Sequence, residues 1–435
     1  MGTGSANNDR KPGKKKKRPI DTPTQENRIA QEAIRGILEA IYEPEFSAFE
    51  KQSQSPKGYY YCTNYGFRPN KSTWLAANTL KLLGRGTTHA IEGDIVGAYN
   101  NVNHEVLLAI LGRRIKDKAF LSTMEQLLKS GIMYKDKFIN STVGTPQGGI
   151  VSPLLFNIYM FELDKFIYEN YYLPSVTEEK KKVNNPAYKR LEYQMQKLLT
   201  SYKQSYNLNE RKILRKEFKA LQAQRFKLPS RIPESLPRSI VYSRYADDWV
   251  LLVTGPETHA LKVKTEITTF LRNTLKMELD TDKTKITRLE DGFGFLGFHL
   301  KRWGPDQQKF DYTLTKTQPV RRYLGRATSR QITIYPDTSR IEANLLRNKF
   351  CITKDLIPIS RNAWALLDEF EIVLKYQQIF RGLANYYRYC DGYHVLNRAS
   401  YILQYSCAKT LSYRQKSSVS KIFKKYGKNM TEGNL

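Results

Sequence analysis

The stretch SRYADDWVLLV, residues 243–253, places two adjacent aspartates between two runs of apolar, β-branched and aromatic residues. This pattern predicts a β-hairpin with Asp247 and Asp248 at its tip. Adjacent carboxylates repel, and they raise each other's pKa unless a cation lies beside them. The pair is therefore either a solvated turn or part of a metal site.

A third carboxylate, Asp94, ends a buried-strand candidate within HAIEGDIVGAY, residues 89–99. Consecutive side chains of a hairpin point to opposite faces, so only one of Asp247 and Asp248 is expected to be the primary ligand of a given ion. Asp94 and the backbone carbonyl of Ile95 supply further hard oxygen donors, which Mg²⁺ prefers together with substrate phosphates. Two such ions would support nucleotidyl transfer, in which a 3′-hydroxyl displaces pyrophosphate.

Composition narrows the class of partner. The 435 residues carry a formal net charge of +29, from 71 Lys and Arg against 42 Asp and Glu. An excess of this size is typical of proteins that bind nucleic acid. No apolar run approaches the length of a membrane span, so no membrane partner is expected. The four cysteines are far apart and contain no CxxC pair, which argues against a zinc module and fits a reducing compartment.

Apolar spacing predicts most of the helices. An amphipathic helix that ends at Pro44 is predicted from Ile29, Ala33, Ile37, Leu38 and Ile41. Further helices are predicted over 71–83, 105–129 and 257–275, and the region 345–426 is predominantly helical. Ser152 and Pro153 are predicted to be the N-cap and first residue of a buried helix.

Residues 171–237 differ in composition from their surroundings, because they contain two charge-dense helical patterns with thin apolar stripes. We interpret this segment as an inserted helical hairpin on the surface. It either contacts RNA or is a solvated spacer, and the sequence does not decide between these two functions.

The chain resembles reverse transcriptases in five successive blocks: GDIVGAY, GTPQGGIVSPLLFNIYM, RYADDWVLL, ELDTDKTKI and GFLGFHL. The stretch RPIDTPTQENRIAQEAIRGILEAIYEPEF and the later YGFRPNKSTWLA resemble more narrowly the group II intron-encoded reverse transcriptase/maturases. The region that starts at YQQIFRGLANYYRYC resembles the maturase, or X, domain of that family. The resemblance covers roughly residues 11–427.

This resemblance implies an α+β fold of the right-hand polymerase type, with fingers, a ferredoxin-like palm and an α-helical thumb/maturase (X) domain. The expected divisions of the chain are 1–10 as a tag or a disordered segment, 11–90 as fingers, 91–300 as palm with the insertion at 171–237, 301–344 as linker and start of the thumb, 345–427 as thumb/maturase (X) domain, and 428–435 as tail.

The resemblance also implies roles for individual residues. The catalytic acids and metal ligands are Asp94, Asp247 and Asp248, together with the Ile95 carbonyl, and Asp247 is expected to be the better ligand of the adjacent pair. The substrate-binding set is Lys17, Arg18 and Arg68 on the triphosphate, Tyr99 against a 2′-hydroxyl, Gln147 and Gly148 in the nucleotide pocket, and Lys283.

Three further expectations concern neighbouring groups. Lys283 is either a proton donor to pyrophosphate or a solvent-facing lysine. The primer end is expected to lie against Phe295, Leu296 and Gly297. The expected RNA-binding residues are Arg381, Tyr386, Tyr387, Lys409, Lys424 and Lys425, with Tyr386 and Tyr387 divided between core packing and RNA contact.

The implied function is RNA-directed DNA synthesis combined with assistance to the splicing of a group II intron. The implied cofactor is Mg²⁺, as two ions, and the implied partners are group II intron RNA, an RNA template with a DNA primer, dNTPs and a second copy of the chain in a homodimer. The alternatives are an RNA-binding splicing cofactor without polymerase activity and a retron- or CRISPR-associated reverse transcriptase. The expected location is a mitochondrion or plastid, or otherwise the bacterial cytoplasm.

Overall fold

The computed structural model describes the backbone of residues 5–10, 17–22, 24–130, 132–134, 137–139, 143–145, 149–177, 182–228, 230–233, 240–303, 310–314, 322–326, 331–353 and 355–427. It describes side chains over 24–130, 143–145, 149–176, 184–228, 230, 240–303, 331–353 and 355–427. Within these residues, no helix is long and apolar enough to cross a membrane. The chain divides into two compact units, residues 1–172 with 240–435 and residues 173–239.

The N-terminal part of the larger unit contains β1 (Ser5–Arg10), β2 (Lys17–Thr22), α1 (Gln25–Gln52), β3 (Cys62–Asn64) and α2 (Thr73–Leu83). Strands β1 and β2 pair antiparallel. Residues 5–10 therefore form a strand, where the sequence suggested a tag or a disordered segment.

Helix α1 differs from its sequence-based prediction in length and in its buried face. It continues through Pro44 to Gln52, although proline lacks the N–H that a helix interior uses. Ile29 and Ile37 are 73% and 50% exposed, so these two members of the predicted stripe were wrong, whereas Leu38 is buried as predicted. The face of α1 that packs into the core consists of Ile34, Leu38, Tyr42 and Phe46. Burial of Phe46 beyond Pro44 explains why the helix does not end there.

The next elements are β4 (His89–Gly93), α3 (His104–Arg114), α4 (Lys118–Lys129), β5 (Ile132–Tyr134), β6 (Lys137–Ile139) and α5 (Ser152–Ile167). The single helix predicted over 105–129 is two helices, because Asp117 caps a new helix through bonds to the N–H groups of Ala119 and Phe120. Helix α5 is almost wholly buried, and Ser152 is its first residue, after an N-cap at Val151.

The smaller unit, residues 173–239, contains α6 (Leu173–Thr177), β7 (Lys182–Asn184), α7 (Pro186–Gln204), α8 (Leu208–Lys227) and β8 (Arg231–Pro233). Strands β7 and β8 pair antiparallel, and the helices α7 and α8 pack as a hairpin between them in sequence. The bounds of this unit nearly agree with those of the insertion predicted at 171–237.

The chain returns to the larger unit through β9 (Ile240–Tyr245), β10 (Asp248–Val253), α9 (Glu257–Thr274) and β11 (Lys285–Arg288). The resulting sheet has the strand order β11-β4-β10-β9-β3. Its first four strands, with α5 and α9 as crossovers, have the βαββαβ order of a ferredoxin-like fold. Strand β3 extends this palm sheet parallel to β9, so residues expected in the fingers contribute to it.

Both faces of the palm sheet are covered. In β10, Trp249, Leu251 and Val253 belong to the core that contains α1, α5 and α9. Val250 and Leu252 point to the other face and belong to the core shared with α2 and the C-terminal helices. This explains the continuous apolar run after Asp248.

The C-terminal part contains β12 (Phe293–Phe295), β13 (Phe298–Arg302), β14 (Phe310–Leu314), β15 (Arg322–Arg326), β16 (Ile332–Pro336), α10 (Thr338–Arg347), β17 (Cys351–Ile352), β18 (Ile357–Pro358), α11 (Glu369–Tyr387), α12 (Leu396–Arg414) and α13 (Val419–Tyr426). Strands β12, β13 and β16 form one sheet. The helices α11 and α12 pack together in the second core, as the helical prediction for this region requires.

Candidate active site

Strand register brings two of the predicted acids to adjacent strand ends. Gly93 at the end of β4 pairs with Trp249 in the antiparallel strand β10. Asp94, which follows Gly93, and Asp248, which precedes Trp249, therefore lie at the same end of the two strands. A two-residue turn, Ala246 and Asp247, joins β9 to β10. Asp247 is half-buried and Asp248 is exposed. The hairpin predicted from the sequence is therefore present.

Gly93 lies where no side chain fits. A Cβ at this position would lie 2.0 Å from Cε2 of Trp249, whose indole fills the space beside the strand. The Trp249 indole N–H is buried and has no hydrogen-bond partner in the described residues. Close packing of Gly93 on Trp249 fixes the distance between the two strands just before the acids.

Lys283 forms an ion pair with Asp94. Its Nζ contacts Asp94 Oδ2 and lies 2.9 Å from Asp280 Oδ2. The Asp280 backbone N–H donates to the Asp94 carbonyl at 2.8 Å, which holds the turn that contains Lys283 against β4. Lys283 is thus an ion-paired residue at the site, and the predicted role as a proton donor is compatible with this position.

The Ile95 carbonyl is available as a donor. Ile95 and Leu279 form an isolated antiparallel bridge, flanked by bonds from Val96 N to Glu278 O at 2.9 Å and from Asp280 N to Asp94 O at 2.8 Å. Neither bond uses the Ile95 carbonyl oxygen. Carboxylates with a backbone carbonyl are the kind of hard, oxygen-only ligand set that suits Mg²⁺.

The side chains do not form a ready-made metal cage. In the part of the chain that the structure describes, no three acidic, histidine or cysteine side chains lie together as a metal-binding group. Mg²⁺ is commonly held by one or two carboxylates, with water and substrate phosphates as its other ligands. The donors at this edge of the sheet fit that sparse mode of binding.

A cavity of about 330 Å³ opens beside Asp94 and Asp248. Its lining also includes Lys283, Phe295 and Leu296. The structure therefore brings two predicted acids, the predicted lysine and two of the predicted primer-end residues around one space.

Tyr99 lies on the Asp247 side of the site. Its ring centroid is 4.6 Å from that of Phe156 in α5, and the ring is half-buried. Burial raises the pKa of the Tyr99 hydroxyl, and the charge of Asp247 raises it further. Asp247 thus acts on Tyr99, whereas Asp248 lines the cavity, as expected for neighbouring residues that point in different directions.

The predicted primer-end segment is attached to the C-terminal helices. Leu296 and Gly297 form the turn between β12 and β13, with φ values of 52° and 79°. The Tyr386 hydroxyl donates to the Leu296 carbonyl at 2.7 Å, and the Tyr387 hydroxyl donates to the Gly297 carbonyl at 3.1 Å. Phe298 stacks on the Tyr386 ring at 5.2 Å. Helix α11 therefore fixes the position of this turn.

Arg68 does not face a nucleotide site. It is 6% exposed, and its guanidinium pairs with Glu43 at 2.7 Å and with Glu50. Burial opposes its charge, but these two carboxylates raise the pKa of Arg68 overall. The predicted contact with the triphosphate finds no support in this conformation, because the buried ion pairs already occupy the guanidinium.

Several predicted residues lie outside the described part of the site. Gln147 and Gly148 are not among the described residues, and the side chains of Lys17 and Arg18 are not described. The predictions for these four residues stay predictions.

The residues predicted to bind RNA fall into two groups. Arg381, Lys424 and Lys425 are exposed on α11 and α13, and Tyr386 is 41% exposed. Lys409 is half-buried and donates to the Pro358 carbonyl at 2.8 Å. Tyr387 is only 4% exposed, so its ring packs inside the protein. The burial of this ring does not support the predicted contact with RNA.

A buried polar network behind the Ala246–Asp247 turn was not predicted from the sequence. Arg244 is fully buried and donates to Asp164 through Nε at 2.8 Å and through Nη2 at 2.6 Å. Asn157 accepts a third bond from Arg244, at 3.3 Å. The signal was a charged residue inside each of two otherwise buried elements, Arg244 in β9 and Asp164 in α5, because opposite buried charges are expected to pair.

Comparison with known families gives two matches. Residues 9–300 match the family described as reverse transcriptase (RNA-dependent DNA polymerase). Residues 329–435 match the family described as type II intron maturase.

Individual relatives agree with these matches. The chain is 30% identical over 420 residues to the group II intron-encoded protein LtrA of Lactococcus lactis, covering 94% of this chain and 65% of LtrA. It is 30% identical to protein YkfC of Escherichia coli, covering 66% and 64%, and 26% identical to the mitochondrial protein ymf11 of Marchantia polymorpha, covering 93% and 55%. The chain thus spans less than two thirds of the length of these relatives.

Solved structures give a weaker likeness. Telomerase from Candida tropicalis, in complex with a TWJ fragment of telomeric RNA, aligns with a TM-score of 0.42 and 11% identity, covering 97% of this chain and 55% of that chain. A TM-score of this size carries no argument about the site.

Proposed function

Since the chain belongs to the reverse transcriptase (RNA-dependent DNA polymerase) family and has a type II intron maturase domain at its C-terminal end, we propose that it copies RNA into DNA and assists the splicing of a group II intron. The substrates in this proposal are dNTPs and a DNA primer paired with an RNA template. The observation that carries it is the shared edge of the palm sheet, where the β4–β10 register places Asp94 and Asp248 side by side.

In the proposed reaction, Asp94, Asp247, Asp248 and the Ile95 carbonyl hold two Mg²⁺ ions. When bound, Mg²⁺ lowers the pKa of the primer 3′-hydroxyl and neutralises charge on the leaving pyrophosphate. Lys283, which contacts Asp94, would donate a proton to the pyrophosphate. Tyr99 excludes a 2′-hydroxyl by the bulk of its ring, which is held in place by Phe156.

The turn at Leu296 and Gly297 holds the primer end. It faces the same cavity as the carboxylates, and its backbone is fixed by the hydroxyls of Tyr386 and Tyr387. In this proposal the reacting 3′-hydroxyl lies between the metal ligands and the C-terminal helices. Preorganised positioning of this kind supplies a large share of the rate in phosphoryl and nucleotidyl transfer.

Primer extension on an RNA template in Mg²⁺ tests the polymerase. We expect extension by the wild type and a loss of at least about a thousandfold in Asp247→Asn, the scale expected when an essential group is removed. Asp291→Asn is the matched control, because Asp291 is an exposed acid in a turn between β11 and β12. An inactive wild type that still promotes splicing would favour the splicing cofactor without polymerase activity.

The RNA-binding part of the proposal rests on exposed basic residues of the C-terminal helices, Arg381 and Lys424. If they contact phosphates, their replacement by alanine will weaken binding to intron RNA and reduce the dependence of log K on log salt. The Tyr387→Phe variant is the control, since this buried ring is not expected to touch RNA. Unchanged affinity and salt dependence in the basic variants would contradict this assignment.

Location and assembly complete the proposal. The relatives include a mitochondrial protein and a bacterial one, and the proposed location is a mitochondrion or plastid, or otherwise the bacterial cytoplasm. A homodimer is proposed as the assembled form. Sedimentation of the purified chain, with and without RNA, measures the oligomeric state directly.

A further inference from the structure

The catalytic turn rests directly on a backbone segment from the N-terminal part of the chain. Tyr65, just after β3, donates its N–H to the Arg244 carbonyl at 2.7 Å. Gly66 follows, and a Cβ on Gly66 would lie 2.4 Å from the backbone nitrogen of Ala246. The turn that bears the acids therefore has a second backbone layer packed against it without an intervening side chain.

Helix α5 joins these two layers from behind. The Asn157 side chain donates to the Gly66 carbonyl at 2.8 Å and accepts from Arg244 Nη1 at 3.3 Å. The same Nη1 donates to the Ala246 carbonyl at 3.2 Å, inside the turn. Arg244 is itself held by the bidentate pair with Asp164. We call Gly66, Asn157, Asp164 and Arg244 the turn-support cluster.

Stability alone does not account for this cluster. Taking an arginine and an aspartate out of water costs several kcal/mol per ion, and well-packed apolar residues of similar volume are often as stabilising, so a gain in stability of about zero is the reference expectation. Within the turn-support cluster, however, Arg244 Nη1 donates a hydrogen bond to the Ala246 carbonyl, inside the turn. Ala246 has φ 57°, a left-handed conformation that is unfavourable for a residue with a Cβ.

A strained turn persists only when its surroundings over-determine it, and such strain is concentrated at functional sites. We propose that Gly66, Asn157 and Arg244 are positioning residues for nucleotidyl transfer, which fix the Ala246–Asp247 turn so that the carboxylates of Asp247 and Asp248 keep their catalytic geometry. This inference rests on the proposed polymerase function. It links the segment after β3 mechanically to the active site, although neither Gly66 nor Asn157 is among the residues that line the cavity beside Asp94.

The matched pair Gly66→Ala and Gly84→Ala tests the proposal. The atom nearest to an added Cβ lies 2.4 Å away at both positions, Ala246 N in the first and Leu80 O in the second, and at Gly84 the Cβ would also crowd Cδ1 of Ile332 and of Leu252. Gly84 follows α2 and has no contact with the turn. Both variants are expected to lower the unfolding temperature, but only Gly66→Ala displaces the turn.

For Gly66→Ala we expect kcat for primer extension, per folded molecule, to fall by about 10- to 100-fold, the cost of a displacement near 1 Å at a reacting group. The KM for dNTP and the affinity for template–primer should change by less than about threefold. Amide hydrogen exchange over residues 244–248, which include the turn and exclude Leu252 beside Gly84, should accelerate in this variant and not in Gly84→Ala. A merely structural role would lower the unfolding temperature without changing kcat per folded molecule.

Asn157→Asp is the second variant, for the case in which Gly66→Ala does not fold. It keeps the size of the side chain and the acceptor for Arg244, but it replaces the N–H donor that faces the Gly66 carbonyl. We expect the same selective loss of kcat, smaller than in Gly66→Ala. If the wild type extends primers and every folded variant retains its kcat, the inference is overturned and the polymerase stands. If the wild type does not extend primers, the polymerase proposal fails instead.

Discussion

Removal of one member of the buried pair between Arg244 and Asp164 is predicted to destabilise the protein more than removal of both. The two bonds are 2.8 and 2.6 Å long, and the two side chains are 1% and 3% exposed. Each charge-assisted bond contributes about 1.5–3 kcal/mol, and an uncompensated buried charge costs about 3–5 kcal/mol in the single variants Arg244→Met and Asp164→Leu.

In Arg244→Met, the Asp164 carboxylate would keep, among the described residues, only the bond from the Tyr242 hydroxyl, at 3.0 Å. In the double variant no charge is left, so its cost should fall to about 1–2 kcal/mol, which is below either single variant. Burial opposes the charge of Arg244, but the pairing with Asp164 raises the pKa of Arg244, so Arg244 is charged in the wild type near neutral pH.

The assay is urea unfolding of the wild type, the two single variants and the double variant, monitored by far-UV circular dichroism. The free energies of unfolding are compared with one common m value for the main transition. A double variant that loses the sum of the two single losses would refute the reasoning, because additivity means that the two charges do not interact. The double variant should nevertheless be a poor polymerase, since the bond to the Ala246 carbonyl is lost with Arg244.

Three other outcomes are expected. Arg68→Met should cost about 3 kcal/mol by leaving Glu50 partly unpaired, with the KM for dNTP unchanged, and a raised KM would restore the predicted contact with the triphosphate. Burial raises the pKa of Glu92, so the fold is most stable with this carboxyl group protonated, and that stability is lost as pH rises. Glu92→Gln should therefore raise the unfolding temperature at about pH 7.5 and raise it less at about pH 4. An equal effect at both pH values would count against this assignment. Tyr99→Ala should raise the use of rNTPs relative to dNTPs by roughly tenfold or more in primer extension, and unchanged selectivity would exclude Tyr99 as the residue that contacts the 2′ position.

The sequence predicted the palm and its hairpin because these elements depend on short-range patterns. The alternation around Asp247 and Asp248 and the apolar run before Asp94 correspond to β9, β10 and β4. Pairing of β4 with β10, by contrast, joins residues far apart in the chain. It was inferred from the chemistry that requires a third acid, and strand periodicity does not specify it.

The errors have physical causes that are visible only in three dimensions. Pro44 ends an isolated helix, but burial of Tyr42 and Phe46 carries α1 past it. Arg68 belongs to a motif that favours a phosphate ligand, but in the structure its guanidinium forms ion pairs with Glu43 and Glu50 from α1. Tertiary packing outweighs local propensity in the helix, and partners distant in sequence determine what a charged residue binds.

The β7–β8 pairing has a consequence for how much chain the palm tolerates. Asn184 pairs with Arg231, so the intervening residues are closed off by a local ladder within their own compact unit. The entropy of closing a loop grows only logarithmically, at about 0.6 kcal/mol for each doubling of its length. A polypeptide graft at the tip between α7 and α8, even a whole foreign domain, would therefore add little to the cost of bringing β4 and β10 together.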